Sequence, residues 1–142
     1  MMVTEILRRS VTSHNGRNGY VTSTDRDFKL DLAIPKEMGG AGDLTKTNPE
    51  ELFAAGYSSC FSSSMQYMMQ VENIEAKDFY AKATVMLSKD EKQGGFKFSV
   101  RMEASITGVD DKTKKDIINK AYQFCPYSRA IRGNIDVEIV IV

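Results

Sequence analysis

The chain has 142 residues, 42% apolar and 27% charged, and its 19 Lys and Arg balance 19 Asp and Glu, so the formal net charge is zero. That composition belongs to a globular protein and excludes a disordered chain, and the length points to one domain spanning residues 1–142. A zero charge balance removes the basic footprint of a nucleic-acid binder or of a polybasic membrane binder.

Up to about Ser23 the chain reads as two strands around the turn HNGRNG. Phe28, Leu30, Leu32 and Ile34 then alternate with Lys29, Asp31 and Ala33, the pattern of a strand with one buried face. A long loop, Lys36 to Thr47, contains GGAG and leads to a helix from Pro49 to about Val71. In that helix Phe53, Tyr57, Phe61, Met65 and Met68 or Met69 recur at helical spacing. Asn48 suits its cap, Pro49 its first position, and Glu50 and Glu51 the positive end of its dipole. Two further strands follow, Phe79 to Leu87 and Phe96 to Ile106, joined by KDEKQGG as an antiparallel hairpin. The second helix spans about Asp111 to Phe124, with Ile117, Ala121 and Phe124 inward and Lys112, Lys114, Lys115 and Lys120 outward. The step Cys125-Pro126 breaks it, a short helix runs through Arg129, and Ile135, Val137, Ile139 and Ile141 form the last strand. The predicted fold is α+β, with two main helices packed on a largely antiparallel sheet.

No run approaches the ~20 apolar residues of a membrane span. The opening MMVTEILRRS has neither the apolar segment nor the cleavage site of a secretory signal, which makes the cytoplasm the expected compartment. Two cysteines are too few for a disulfide scaffold there; if they pair, they form a redox-cycling couple rather than a staple.

Several chemistries can be weighed. GGAG lacks GK[ST] and the G-x-G-x-x-G spacing, so tight-turn glycines explain it better than a phosphate cradle. His14 is the only histidine, which excludes multi-histidine metal sites, and its Gly- and Asn-rich surroundings suggest an exposed imidazole. The cysteines stand apart, not in C-x-x-C pairs, which argues against zinc. Cys60 lies mid-helix in GYSSCFSS, sharing a face with Leu52, Gly56 and Tyr67. A cysteine so placed is commonly an inert small hydrophobe, but the serines around it and Tyr57 one turn before weaken that account. Cys125 opens CPYSRAIRGN. A reactive thiol needs a nearby cation; Arg17, Arg129 and Arg132 are candidates, and Glu50 or Glu51 can orient a guanidinium by a bidentate fork. Spacing alone does not show that these groups meet.

TNPEELFAAGYSSCF (Thr47 to Phe61) together with CPYSRAIRGN (Cys125 to Asn134) resembles the OsmC/Ohr family, and within it the organic hydroperoxide resistance proteins. The GRNG turn and PKEMGGAG loop are similar as well, and the match covers essentially the whole chain. The resemblance implies an OsmC-like fold in an intertwined homodimer. It implies a thiol peroxidase that reduces organic hydroperoxides, including lipid-derived ones, to alcohols and is recycled by dihydrolipoyl groups or another dithiol. It also implies no metal, haem or flavin. By motif position Cys60 corresponds to the peroxidatic cysteine, Cys125 to the resolving one, and Arg17 and Glu50 to the pair that polarises the reactive sulfur. Ser59, Glu51 and the Asn of GRNG depart from the commoner Ala, Gln and Asp, and none removes a catalytic group.

The ten residues between Glu50 and Cys60 amount to about 15 Å along a straight helix at ~1.5 Å per residue. The two cannot both touch a small substrate on one regular helix. An irregular first turn is therefore expected, or a bridging Arg17, with Glu51 as the fallback. Rival readings are a redox sensor using the same cysteines without fast turnover, a small-ligand carrier in which Cys60 is mere core, and a broader OsmC-type peroxidase.

Overall fold

A computed structural model of the protein describes residues 3–142, and their contacts cluster into one unit ending at Pro49 and a second beginning at Glu50.

In the N-terminal unit, β1 (Val11–His14), β2 (Tyr20–Ser23) and β3 (Lys29–Asp31) form an antiparallel sheet in that order. Between β1 and β2 the chain reverses through Asn15 and Gly16, both left-handed (φ 63° and 61°), into a single 3-10 turn, Gly16–Asn18. These are the two residue types that best tolerate that conformation. His14 is exposed and stacks on Tyr20, ring centroids 4.9 Å apart. The alternating stretch from Phe28 yields a strand of only three residues. Leu32 is buried, but Leu30 stays 38% exposed; among the described residues this unit contains single 3-10 turns and no α-helix of its own. The glycine-rich loop folds back on the strand: Thr47 N–H donates to the Asp31 carbonyl and Ala33 N–H to the Thr47 carbonyl, each at 3.0 Å.

The second unit begins in helix α1 (Pro49–Val71), followed by β4 (Asp78–Lys89), β5 (Phe96–Thr107), α2 (Asp111–Phe124), α3 (Pro126–Ile131) and β6 (Asp136–Ile141). Strands β4 and β5 pair antiparallel over their full length, from Asp78↔Thr107 to Lys89↔Phe96, as the hairpin pattern predicts. Strand β6 lies on the other side of β5 and parallel to it, from Ser99↔Asp136 to Ala104↔Ile141. The alternation in IDVEIVIV is equally compatible with either direction. The direction follows from the two helices between β5 and β6, which return the chain to the end of the sheet where β5 began. The architecture is α+β.

Tyr57, Phe61, Met65 and Met69 are one stripe of α1 at i, i+4 spacing, and all are buried. With Val100, Met102, Ala104 and Ile106 of β5 and Ile117, Ile118 and Ala121 of α2 they form one apolar core. One inward assignment is corrected. Phe124 is 43% exposed and stacks on Tyr67 at 4.8 Å. The buried stripe of α2 instead runs Ile117, Ile118, Ala121 and then, four residues on, Cys125, so residue 124 falls to its side.

Ile117 is fully buried where α2 meets the core, and its truncation leaves a cavity there. Ile117→Ala is expected to lower unfolding stability by about 2–5 kcal/mol, and the exposed Lys115→Ala to change it by no more than about 0.5 kcal/mol. Urea titrations followed by circular dichroism measure both.

Candidate active site

Residue 125 serves two elements at once. Its N–H donates to the Ala121 carbonyl at 2.8 Å, closing α2, and its carbonyl accepts from Arg129 N–H at 3.0 Å, opening α3. Pro126 supplies no N–H to continue α2, but its fixed φ suits the first position of α3. The side chain of Cys125 is fully buried, and its sulfur lies 3.4 Å from that of Cys60, the two sharing a thiol hydrogen bond. Cys60 is half-buried on α1, and neither cysteine is bridged. A disulfide needs about 2.05 Å between sulfurs, so the pair is one small rearrangement from closure.

Burial pushes the Cys60 thiol above its ordinary value, because a thiolate there loses hydration. The backbone N–H of Tyr127 donates to the sulfur and acts in the opposite direction, while the bond to Cys125 and that group's nearness push it up again. The serines do not alter this balance directly. Ser59 Oγ donates to the Ala55 carbonyl at 2.7 Å, Ser63 Oγ to the Ser59 carbonyl at 2.7 Å, and Ser64 Oγ to the Cys60 carbonyl at 2.9 Å. Their polarity is spent on the helix backbone, as mid-helix serines commonly do.

Around the sulfurs stand Tyr57, expected as part of the apolar stripe, and Tyr127 and Ser128, for which the sequence offered no role. Tyr57 and Ser128, both buried, join hydroxyl to hydroxyl at 2.6 Å. Tyr127 stacks on Tyr57, centroids 5.9 Å apart and planes 17° apart, and packs edge-on against Phe53. Its hydroxyl sits so close to Gly56 that a Cβ there would come within 2.3 Å of it. One signal was available in the sequence: a mid-helix glycine costs about 1 kcal/mol relative to alanine, and a close neighbour is the usual compensation.

Arg17 lies in the 3-10 turn of the N-terminal unit, half-buried. Glu50 and Glu51 occupy the first turn of α1. The expected irregular first turn is not present: α1 is helical from Pro49 onward, because proline at the first position and two glutamates at the positive end favour a regular start. Glu50 is therefore about 15 Å from Cys60 along the axis, and the two do not contact one small molecule together. Among the described residues no group of three His, Cys, Asp or Glu is placed to hold a metal ion, and no helix is long and apolar enough to cross a membrane.

Residues 40–140 match the family model described as OsmC-like protein. The chain belongs to the OsmC/Ohr family. It is 40% identical to the organic hydroperoxide resistance protein OhrB of Bacillus subtilis over 136 residues, covering 94% of this chain and 96% of that one. It is also 40% identical to the organic hydroperoxide resistance protein-like 2 of Staphylococcus epidermidis over 138 residues, covering 97% and 96%. The crystal structure of an organic hydroperoxide resistance protein from Elizabethkingia anophelis superposes with a TM-score of 0.91 at 38% identity, covering 98% of both chains. The OsmC/Ohr fold expected from the two cysteine motifs is thus the fold observed.

Gly56→Ala combines two opposed effects, a gain of about 1 kcal/mol in helix propensity and an overpacking cost of about 1–3 kcal/mol against Tyr127. The substitution is expected to destabilise the wild-type background and to stabilise Tyr127→Ala, where the clashing ring is gone. A reversal of sign between the two urea midpoints is the readout; the same sign in both would show that Tyr127 does not impose the glycine.

Proposed function

We propose that this protein is a thiol peroxidase that reduces organic hydroperoxides, lipid-derived ones included, to alcohols. The observation that carries the reading is the 3.4 Å separation of two sulfurs of unequal exposure. The names of its relatives, proteins of organic hydroperoxide resistance, support the substrate class, and the Phe53, Tyr57 and Tyr127 rings beside the site suit an alkyl chain.

In this reading the partly exposed Cys60 is the peroxidatic residue. Its thiolate attacks the terminal peroxide oxygen, the O–O bond breaks, and the departing alkoxide takes a proton and leaves as alcohol. Cys60 is left as a sulfenic acid. The Cys125 thiol then attacks that sulfur, a disulfide forms, and the sulfenic oxygen leaves as water. An external dithiol, of the dihydrolipoyl type, reduces the disulfide through a mixed disulfide and carries away its own. The cycle needs no metal, haem or flavin.

Burial raises the Cys60 thiol, so the reaction needs a cation to offset it. Arg17 is assigned that role, stabilising both the thiolate and the charge developing on the leaving oxygen. Glu50 holds the guanidinium by a bidentate fork, with Glu51 as the alternative. At about 15 Å along α1 from Cys60, Glu50 acts through the arginine and not on substrate. The working form is a homodimer in the cytoplasm; exposed Ile6, Leu44 and Phe96 support burial against a second copy.

Steady-state consumption of cumene hydroperoxide and hydrogen peroxide, with dihydrolipoamide as reductant, tests the cycle. Wild type is expected to turn over and to prefer the organic peroxide. Cys60→Ser is expected to be inactive, and Cys125→Ser to consume one equivalent and stop. Equal inactivity of wild type and Cys60→Ser on every peroxide would refute the mechanism.

Arg17→Ala is expected to lower kcat/KM by about 10²-fold and to move the pH dependence upward. Without the cation, burial and Cys125 outweigh the Tyr127 N–H and hold the thiol up, so the log rate of Cys60 alkylation by iodoacetamide should climb with pH beyond the ordinary thiol value of about 8.5. Wild type should level off at lower pH. Coincident profiles would remove Arg17 from this role.

A further inference from the structure

The peroxidase cycle uses two sulfurs and a cation, yet a second pair of side chains bridges the same two helices. Tyr57 precedes Cys60 by three residues on α1, and Ser128 follows Cys125 by three residues in α3. The hydroxyl pair, at 2.6 Å, and the sulfur pair, at 3.4 Å, therefore lie one turn apart on both elements, with the chains running in opposite directions. Both hydroxyl-bearing residues are fully buried, so neither has water as a substitute partner. A phenylalanine would fill the same ring space; what the tyrosine adds is a hydroxyl, which burial pushes up in pKa and keeps neutral.

Helix α3 needs such a tie. It has six residues, too few to be stable by itself, and it carries at its start both Cys125 and the Tyr127 N–H that reaches the Cys60 sulfur. Together with the end of α2, which holds Cys125 N–H at the Ala121 carbonyl, the seating of α3 on α1 sets the distance between the sulfurs.

We propose that the Tyr57–Ser128 hydrogen bond is a positioning latch for disulfide closure: it keeps Cys125 within reach of the oxidised Cys60, so that resolution outruns a second oxidation. The inference rests on the peroxidase reading above. Two fates compete for the Cys60 sulfenic acid. In one, the Cys125 thiol attacks its sulfur, forming the disulfide and releasing water. In the other, a second organic hydroperoxide transfers an oxygen atom, giving the sulfinic acid and an alcohol. The latch acts on the first fate alone, and the ratio of the two products reads it. Tyr57 and Ser128 are positioning residues, not catalytic ones.

The experiment exposes reduced protein to a series of cumene hydroperoxide concentrations and measures Cys60–Cys125 disulfide against Cys60 sulfinate by intact-mass spectrometry. It compares wild type, Tyr57→Phe, Ser128→Ala and the double variant Y57F/S128A. Each single variant strands a buried hydroxyl and is exposed to a folding defect. The double variant removes both partners together, which leaves no unpaired group and preserves the fold. The sulfinate-to-disulfide ratio at a given peroxide concentration is expected to rise about five- to tenfold in the double variant, with an unchanged urea midpoint. The two single substitutions should not add, since they break one shared bond.

A parallel arm oxidises each protein with diamide, which closes dithiols without peroxide. Slower closure in the double variant than in wild type supports the latch. If the double variant partitions and closes as wild type does, the latch is overturned while the peroxidase reading stands. If wild type itself forms no Cys60–Cys125 disulfide with either oxidant, that reading falls and this inference with it.

Discussion

Everything at the candidate site depends on where α2 stops. Its buried stripe advances through Ile117, Ile118 and Ala121 to Cys125, and the very next residue is a proline that cannot donate the bond a longer helix requires. The last core position of α2 thereby becomes the hinge from which α3 departs. A thiol at that position is driven inward by the same force that buries the isoleucines before it. It meets α1 at the level of Cys60, 3.4 Å sulfur to sulfur. Had the chain stayed helical past residue 124, the short helix bearing Ser128 and the Tyr127 N–H would not turn back toward α1.

That arrangement creates an electrostatic conflict. An apolar, half-buried setting opposes the ionised sulfur, and the Cys60 thiol is pushed up accordingly. Only the Tyr127 N–H, itself presented by the first turn of α3, acts the other way among the groups that set it. Ser59, next to it, and Ser64, one turn on, have turned their hydroxyls to backbone carbonyls. In the N-terminal unit the turn that carries Arg17 is itself fixed: Asn18 accepts from Ile34 N–H at 3.1 Å, and Asn15 and Gly16 before it are left-handed.

Much of this was legible in one dimension. Alternation located β4 and β5 with their hairpin, and helical periodicity with cap and proline signals located α1 and the limits of α2. Period-two patterning reports which faces are buried but carries no strand direction, so the parallel pairing of β6 was not legible. Periodicity also tolerates a neighbouring position: Phe124 and Cys125 are both within reach of the stripe that starts at Ile117, and packing chose the cysteine. The irregular start expected for α1 came from asking Glu50 to approach Cys60, a functional demand that local propensity at Pro49 and the two glutamates overrode.

The sequence by itself determined the main elements, most of the α1 stripe, the family and the two cysteine motifs, because these rest on local spacing and on motifs a few residues long. The tertiary structure alone decided that Cys60 and Cys125 meet, that Tyr57 finds Ser128 across 71 residues of chain, and that Gly56 is empty to admit a tyrosine ring. Those are contacts between segments distant in sequence. Their distances follow from how core side chains fill space between α1, α2 and β5, which no local pattern encodes.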